Sequence, residues 1–270
     1  MHTEVQRIAR EAGVLALDYF KRLATLTVEA KGPLDLVTLA DRDVEKFITE
    51  QLRKTFPGDG IFGEEGASVR DTTGRTWVID PIDGTFNFVR GGDQWAISIG
   101  LYEKGAPAFG VIHAPMRRET LVGGAGLKAM LNGIPLAARV GLDRQRAAVG
   151  VGFHPTIPTE TRLAALRYIF DDLRMSFRCC GSATASLLEV ARGQVDGYIG
   201  YGESTWDVMA ALPVLSQIGI ANTVDWSKTP LSAKLNFACG TPDFLEAVRP
   251  LLHQSRGAVG SAPVTDPSRS

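Results

Sequence analysis

The first part of the chain has apolar residues at three- and four-residue steps, which predicts two amphipathic helices. The first covers about residues 3–22, where the apolar positions are Val5, Ile8, Ala12, Leu15, Ala16 and Tyr19. The second covers about residues 41–56 and ends at Pro57 and Gly58. Asp41 is therefore expected at the start of a helix.

Strand-sized apolar runs follow, separated by turn residues. They occupy residues 95–102, 108–113 and 119–122, which predicts a meander. The second half of the chain has predicted strands at 147–151, 195–199 and 235–238 and predicted helices at about 158–173, 182–192 and 206–218. This mixed order predicts an α/β (α+β) sandwich of stacked helix and sheet layers.

The most informative polar residues follow the strand-like run that begins at Trp77. Asp80 and Asp83 lie where this strand bends, because Pro81 cannot donate to a ladder and Gly84 tolerates unusual backbone angles. Two close carboxylates repel each other unless a cation neutralises them, and Mg²⁺ or Mn²⁺ prefers oxygen ligands. Taken alone, the motif is better interpreted as a turn capped by Asp83.

Two further acidic segments favour the metal site. Glu64 and Glu65 lie in Ile61-Phe-Gly-Glu-Glu-Gly66, which repeats the combination of an apolar strand, a glycine and an acidic pair. Asp207 is the charged residue at the start of the apolar segment 206–218, where it is a helix cap, a ligand or both. Together these residues offer enough oxygen atoms for two or three divalent ions held jointly with a phosphate.

Five motifs in this order resemble the inositol monophosphatase-like family, the magnesium-dependent, lithium-sensitive phosphatases related to fructose-1,6-bisphosphatase. They span roughly Lys31 to Gly219. The motifs are Lys31-Gly-Pro-Leu-Asp-Leu-Val-Thr-Leu-Ala-Asp41, Gly63-Glu-Glu65, Trp77-Val-Ile-Asp-Pro-Ile-Asp-Gly-Thr-Phe-Asn-Phe-Val-Arg-Gly91, Gly181-Ser-Ala183 and Trp206-Asp207. The resemblance implies a five-layer α-β-α-β-α sandwich, bound Mg²⁺ that Mn²⁺ can replace, and a homodimer.

The resemblance also implies roles for individual residues. The metal ligands are Glu64, Asp80, the carbonyl of Ile82, Asp83 and Asp207. The donors around the substrate are Gly84, Thr85, Gly181, Ser182 and Ala183. Asp41 and Thr85 are expected to orient the attacking water. Glu65 is a proton acceptor, a residue that holds a third metal through water, or a solvated acidic neighbour. Such a site hydrolyses a phosphomonoester with metal-activated water and needs no covalent nucleophile.

The substrate's organic half is less well defined by the sequence. The inositol-preferring members of the family carry a sugar-contacting glutamate seven residues before the aspartate of the Trp-Asp motif, and here that position is Gly200. Glu203 either replaces this glutamate or is a surface carboxylate. Inositol 1-phosphate is the first substrate hypothesis; histidinol phosphate, 3′-phosphoadenosine 5′-phosphate and sugar phosphates are the alternatives. A hypothesis of another class is a non-catalytic relative that senses a metal or ligand.

Composition narrows the remaining possibilities. The 270 residues are 44% hydrophobic and 22% charged, enough for a large core in one or two closely packed domains. The 29 basic and 30 acidic residues give a formal charge of −1, so no basic field predicts binding to nucleic acid or to an anionic membrane. The three cysteines do not form a disulfide framework, and the first residues lack the apolar run of a signal peptide. A cytoplasmic protein is therefore predicted.

A soft domain boundary is predicted near Arg144. The expected units are an N-terminal α/β domain over 1–143 with most of the metal ligands, and a C-terminal α/β domain over 144–256 that completes the site. The segment 257–270 is rich in Gly, Ser and Pro and predicts a disordered tail.

Overall fold

A computed structural model of the chain describes residues 1–32, 35–124 and 126–254. The helices in these ranges are α1 His2–Phe20, α2 Leu39–Thr55, α3 Thr85–Val89, α4 Thr159–Tyr168, α5 Ala183–Arg192, α6 Thr205–Met209, α7 Ala211–Ser216 and α8 Pro242–Gln254. The two predicted N-terminal helices are confirmed as α1 and α2. Thr38 caps α2, because its side chain accepts a hydrogen bond from the backbone N–H of Ala40.

The strands of the large sheet come from the first half of the chain. Within the described residues they are β3 Gly60–Gly63, β4 Ser68–Val69, β5 Arg75–Asp83, β6 Ala96–Glu103, β7 Ala106–Ala114, β8 Glu119–Gly124, β9 Leu127–Leu131 and β10 Ile134–Pro135. Their order in the sheet is β10-β9-β8-β7-β6-β5-β3-β4. Strands β6 to β9 are antiparallel neighbours, which confirms the predicted meander. A separate hairpin precedes α2, formed by β1 Val28–Gly32 and β2 Asp35–Thr38.

The second half of the chain supplies a smaller sheet. Its described strands are β11 Ala148–Phe153, β12 Ser176–Arg178, β13 Gly197–Ser204, β14 Ala221–Asn222 and β15 Lys234–Gly240. The order is β12-β11-β13-β15-β14, with β11 parallel to β12 and β13 and with β15 antiparallel to β13. The ladder between β13 and β15 is interrupted at Gly202, whose φ is +81°. This bulge turns the end of β13, and with it Glu203.

Three apolar cores separate five layers of secondary structure, which confirms the predicted sandwich. One core lies between the helices α1 and α2 and the large sheet; it includes Ile8, Val44 and Trp77. The second lies between the two sheets around α5, α6 and α7. The third lies between the small sheet and the helices α4 and α8, around Phe244. The order of layers is therefore α-β-α-β-α.

The structure corrects the predicted helix 206–218, which consists of α6 and α7 with a break at Ala210. The reason is Pro213, which has no N–H to donate to the carbonyl of Met209. The break lies against the large sheet: a Cβ on Gly110 would be 1.9 Å from the carbonyl oxygen of Ala210. Glycine at position 110 therefore allows the start of this segment, where Asp207 lies, to approach the sheet closely.

Other boundaries also differ from the predictions. The strand predicted at 195–199 starts and ends later, as Gly197–Ser204. The helix predicted at 158–173 is regular to Tyr168 and continues as one wide π-helical turn over Ile169–Leu173. The helix α8 was not predicted. The division near residue 144 stays a prediction, and the predicted tail, 257–270, lies outside the described residues.

No described helix is long and apolar enough to cross a membrane.

Candidate metal centre

Three carboxylates from two distant parts of the chain meet at one point. Asp80 and Asp83 come from the end of β5, and Asp207 comes from the first turn of α6. One carboxylate oxygen of each lies within 4.8 Å of the others. Among the described residues, these three side chains form the cluster that could bind a metal ion. Asp80 is only 1% exposed. A set of carboxylate oxygens alone fits Mg²⁺ or Mn²⁺ better than a metal that prefers sulfur or nitrogen.

The bend in β5 brings both of its aspartates to the site. The ladder with β6 is interrupted between Asp80 and Asp83, and the N–H of Ile82 donates to Asp80 Oδ1 at 3.1 Å. Gly84 follows with a φ of +94°, and a Cβ there would lie 2.7 Å from the carbonyl oxygen of Gln94. The turn therefore requires glycine at position 84, as the sequence indicated.

Asp207 is a helix cap and a member of the carboxylate cluster at once. Its Oδ2 accepts a hydrogen bond from the backbone N–H of Ser204 at 2.6 Å, and the two residues form a capping box. This contact fixes the direction of the side chain. The carbonyl of Trp206 is held in turn by Ser98 Oγ of β6, at 3.1 Å. Asp207 is thus attached both to its own helix and to the large sheet.

Asp83 joins the two halves of the site. Its Oδ2 accepts from Ser182 Oγ at 2.9 Å and from the backbone N–H of Thr184. Nearby, Asn87 Nδ2 donates to the carbonyls of Gln94, at 2.7 Å, and Cys180, at 2.8 Å. These bonds place the predicted substrate donors of the segment 181–183 beside those of the turn at 84–85.

Burial and mutual repulsion raise the pKa values of the clustered carboxyl groups. For Asp80 the largest cause is burial, followed by the negative charges of Glu64 and Asp83. The pKa of Asp207 also lies well above its ordinary value, because of burial and the charge of Glu203. Burial raises the pKa of Asp83, and its hydrogen bonds from Thr184 oppose this shift. A divalent cation would remove the repulsion, so the donor set and its electrostatics both fit a bound metal.

The structure brings the predicted water-orienting residues together. Thr85 Oγ1 lies 3.1 Å from Asp41 Oδ1 and 3.1 Å from the carbonyl oxygen of Ile82. The other carboxylate oxygen of Asp41 accepts from the N–H and the hydroxyl of Thr38, at 2.8 and 2.6 Å. Asp41 is fully buried, and burial raises its pKa to about 6.

The predicted pair Glu64 and Glu65 lies at the edge of this cluster. Both side chains are partly buried, and Glu64 lines the same cleft as Asp83. The charge of Glu64 acts on Asp80, whereas the charge of Glu65 acts on Asp41. The charges of the two glutamates therefore act on different parts of the site.

Glu64, Asp83 and Asp207 line a cleft of about 450 Å³ between the two halves of the chain. The predicted substrate residues all line it: Gly84, Thr85, Gly181, Ser182, Ala183 and Glu203. Sequence reasoning missed other lining residues, among them Gly152, Tyr198 and Lys234. The available signal was the glycines inside β11 and β13, since glycine in a strand often marks a close approach of another group.

Glu203 occupies the space that a side chain at position 200 would enter. A Cβ on Gly200 would lie 2.6 Å from Glu203 Cγ, and a Cβ on Gly152 would lie 2.1 Å from Glu203 Oε1. The hydroxyl of Tyr198 donates to Glu203 Oε1 at 2.5 Å. Burial is the main reason that the pKa of Glu203 rises to about 7. Glu203 is therefore a wall of the cleft and not a surface carboxylate.

Comparison with known proteins agrees with this fold. The family model described as "Inositol monophosphatase family" matches residues 2–261. Inositol-1-monophosphatase of Bacillus subtilis is 35% identical over 227 residues, which cover 80% of this chain and 84% of that protein. Nus factor SuhB of Xylella fastidiosa is 34% identical over 216 residues, which cover 79% of this chain and 78% of that protein.

A solved structure gives the same result. The extragenic suppressor protein suhB of Bartonella henselae superposes with a TM-score of 0.84 at 27% identity, over 91% of this chain and 95% of that one. The chain belongs to the inositol monophosphatase family.

The raised pKa values predict how metal and pH act together on stability. A group whose pKa is higher in the folded state stabilises that state below its ordinary pKa and loses this effect as the pH rises through the raised value. The raised pKa values of Asp41, about 6, and Glu203, about 7, place part of this loss near neutral pH. The melting temperature of the metal-free protein should therefore fall as the pH rises from about 4 through about 7. Because Mg²⁺ needs ionised carboxylates, the rise in melting temperature that it causes should grow over the same range.

Thermal unfolding at several pH values, with Mg²⁺ and with a chelator, measures this effect. Asp80→Asn is the matched variant, since it removes one charge at nearly constant volume. Without metal it should melt higher than the parent protein at the alkaline end of the pH range, where the carboxylates repel one another, and it should gain less from Mg²⁺. An equal Mg²⁺ effect at both ends of the pH range would contradict the assignment of the cluster as a metal site.

Proposed function

We propose that the protein is a magnesium-dependent phosphomonoesterase that hydrolyses a small phosphorylated alcohol. The observation that carries this proposal is the convergence of Asp80, Asp83 and Asp207 beside the hydrogen-bonded pair Asp41–Thr85, in a cleft large enough for a small substrate. The B. subtilis relative, which is named an inositol-1-monophosphatase, supports the same reaction class.

The proposed metal ligands are Glu64, Asp80, the carbonyl of Ile82, Asp83 and Asp207. Bound Mg²⁺, in two or three positions, supplies Lewis-acid chemistry that lowers the pKa of water and neutralises phosphate charge. The protein's part is to hold the reacting groups in place. Thr85 donates its single hydroxyl proton toward Asp41, which leaves the oxygen of Thr85 as an acceptor for a proton of the attacking water. Glu65 remains a proton acceptor or a holder of a third ion in this proposal.

The phosphate is proposed to lie against backbone N–H groups from both halves of the site. Gly84 and Thr85 begin α3, and Ser182 and Ala183 begin α5. The hydroxyl of Ser182 is already engaged with Asp83 and with the N–H of Ala185. The donors available to a phosphate from this segment are therefore backbone amides, and backbone amides suit an anion.

The organic half of the substrate is proposed to meet Glu203. Its side chain passes over Gly200, where the inositol-preferring relatives carry their sugar-contacting glutamate, and its carboxylate reaches Gly152, so it can accept hydrogen bonds from a polyol. Inositol 1-phosphate is therefore the first candidate. Histidinol phosphate, 3′-phosphoadenosine 5′-phosphate and sugar phosphates remain alternatives for the same chemistry.

A non-catalytic role is the competing proposal, because the X. fastidiosa relative is named a Nus factor. The complete set of carboxylates and the Asp41–Thr85 contact favour an enzyme. A homodimer, a cytoplasmic location and the lack of a nucleic-acid partner stay predictions.

The direct test is hydrolysis of a panel of phosphomonoesters by the purified protein with Mg²⁺, with Mn²⁺ and after exhaustive chelation. We expect phosphate release that chelation abolishes. Asp207→Asn keeps an acceptor for Ser204 and removes the ligand charge, so it should lower kcat by orders of magnitude while the variant keeps its fold. Full activity after chelation would contradict the metal requirement, and no hydrolysis of any ester would favour the non-catalytic role.

The Asp41–Thr85 pair predicts a specific pattern of kinetic effects. Thr85→Ala and Asp41→Asn should each lower kcat much more than they raise KM, because the hydroxyl acts mainly in the transition state. The double variant should lose much less than the product of the two single effects, since the residues function as a unit. Strictly multiplicative losses in this double-mutant cycle would show that the two act independently.

Glu203 predicts a selective effect on hydroxylated substrates. Glu203→Gln should lower kcat/KM for inositol 1-phosphate by roughly tenfold to a hundredfold, as expected for a lost charged hydrogen bond of about 1.5–3 kcal/mol. Hydrolysis of p-nitrophenyl phosphate, whose leaving group carries no further hydroxyl, should change little. Tyr198→Phe is the control, because it keeps the carboxylate of Glu203 and removes the hydroxyl that donates a hydrogen bond to it. Equal losses for both esters would assign Glu203 to the metal site instead.

A further inference from the structure

One buried carboxylate near the site belongs to none of the roles above. Glu45 lies in the second turn of α2 and is 4% exposed. Its Oε2 accepts a hydrogen bond from the backbone N–H of Glu65, and its Oε1 accepts one from the backbone N–H of Ala67, both at 2.8 Å. Each carboxylate oxygen of Glu45 is therefore engaged with the loop that carries Glu64 and Glu65.

Glu45 adds to the backbone bonds of this loop, in which the N–H of Glu64 donates to the carbonyl of Ile79 of β5 at 3.2 Å. The loop leaves β3 at Gly63, whose N–H donates to the carbonyl of Ala67 at 2.8 Å, and it turns at Gly66, whose φ is +105°. The N–H groups of Glu65 and Ala67 point toward α2, and a carboxylate that accepts two backbone N–H groups is a strong acceptor. Glu45 thus holds the backbone of the loop at Glu65 and Ala67, directly after Glu64.

The glycine at position 63 is part of the same arrangement. A Cβ there would lie 2.2 Å from Glu45 Oε2 and 2.7 Å from its Cδ. A side chain at position 63 would displace the carboxylate of Glu45 and break its bonds to the loop. Glycine is therefore required at position 63 by the packing of Glu45, and not by contact with a metal or a substrate.

The helix α2 also connects this support to the water-orienting pair. Asp41 and Glu45 are four residues apart and lie on one face of the helix, where Asp41 contacts Thr85 and Glu45 contacts the acidic loop. One rigid element therefore holds two separate parts of the candidate site in a fixed relation.

We propose that Glu45 is a positioning residue of the metal site, which holds the Glu64–Glu65 loop in its ligating conformation through two backbone hydrogen bonds and binds no metal itself. The inference rests on the proposed function for its role in catalysis, but the binding of metal can be measured without substrate.

The test is a titration of the Glu45→Gln variant with Mn²⁺, in which electron paramagnetic resonance measures the concentration of the free ion. A glutamine keeps the shape and one acceptor but presents N–H₂ to the other backbone N–H. Affinity should fall by roughly tenfold to a hundredfold, as is typical when a residue that orients a ligand is replaced. The number of ions bound at saturation should stay that of the parent protein. Hydrogen exchange at the amides of Glu65 and Ala67 should become faster.

Two further variants complete the design. Gly63→Ala leaves Glu45 intact but displaces its carboxylate, so it should weaken Mn²⁺ binding in the same direction, and it serves as the test if Glu45→Gln fails to fold. Glu50→Gln is the matched control, because Glu50 is exposed on the same helix and its loss changes the net charge equally. It should leave Mn²⁺ affinity and amide exchange unchanged.

Two results would overturn the inference. Parental Mn²⁺ affinity in folded Glu45→Gln and Gly63→Ala would show that the loop does not depend on Glu45. A lower number of bound ions at saturation in Glu45→Gln would make Glu45 a ligand. Absence of phosphatase activity in the parent protein would refute the proposed function alone, because the Mn²⁺ affinities would still decide the role of Glu45.

Discussion

The mutual repulsion of closely spaced, buried carboxylates is the constraint on which the rest of this structure depends. Asp80, Asp83 and Asp207 place oxygens within 4.8 Å of one another, and burial weakens the solvation that would otherwise screen their charges. Such a cluster separates unless rigid elements hold it together or a cation neutralises it. The five-layer sandwich provides the rigid elements, because β5 packs into the core beneath α1 and α2 and α6 packs into the core between the two sheets.

The two halves of the site are held together by hydrogen bonds as well as by packing. Asp83 accepts from Ser182 and Thr184 across the cleft, and the single amide nitrogen of Asn87 donates to carbonyls on both sides. Asp83 is a proposed metal ligand, and its Oδ2 also holds the segment 181–183, which carries the proposed substrate donors. Loss of its side chain would affect metal, phosphate and the contact between the halves together.

Local sequence patterns predicted the parts of the structure that depend on local interactions. The helices α1 and α2 could be predicted from the spacing of their apolar residues, and the turn at Gly84 from its turn residues, because each depends on residues that are neighbours in the sequence. The helix α8 was not predicted. The segment 206–218 was predicted as one helix from its apolar residues, but Pro213 divides it into α6 and α7. Acidic residues pointed to the carboxylate cluster, and family resemblance identified the Asp41–Thr85 pair. The contacts of Glu45 and the orientation of Glu203 could not be found this way, because they depend on backbone positions 20 or more residues away or on a bulge.

The position of Glu203 shows why substrate preference is difficult to infer by matching residue positions. The inositol-preferring relatives carry the sugar-contacting glutamate at a position that is Gly200 here, and a site-by-site comparison records a lost contact. The bulge at Gly202 redirects the chain so that Glu203 returns over Gly200, and the absence of side chains at Gly152 and Gly200 leaves space for its carboxylate. An acceptor can thus occupy the same volume from a different backbone position, so the groups that line the cleft, and not their numbering, determine what the cleft can bind.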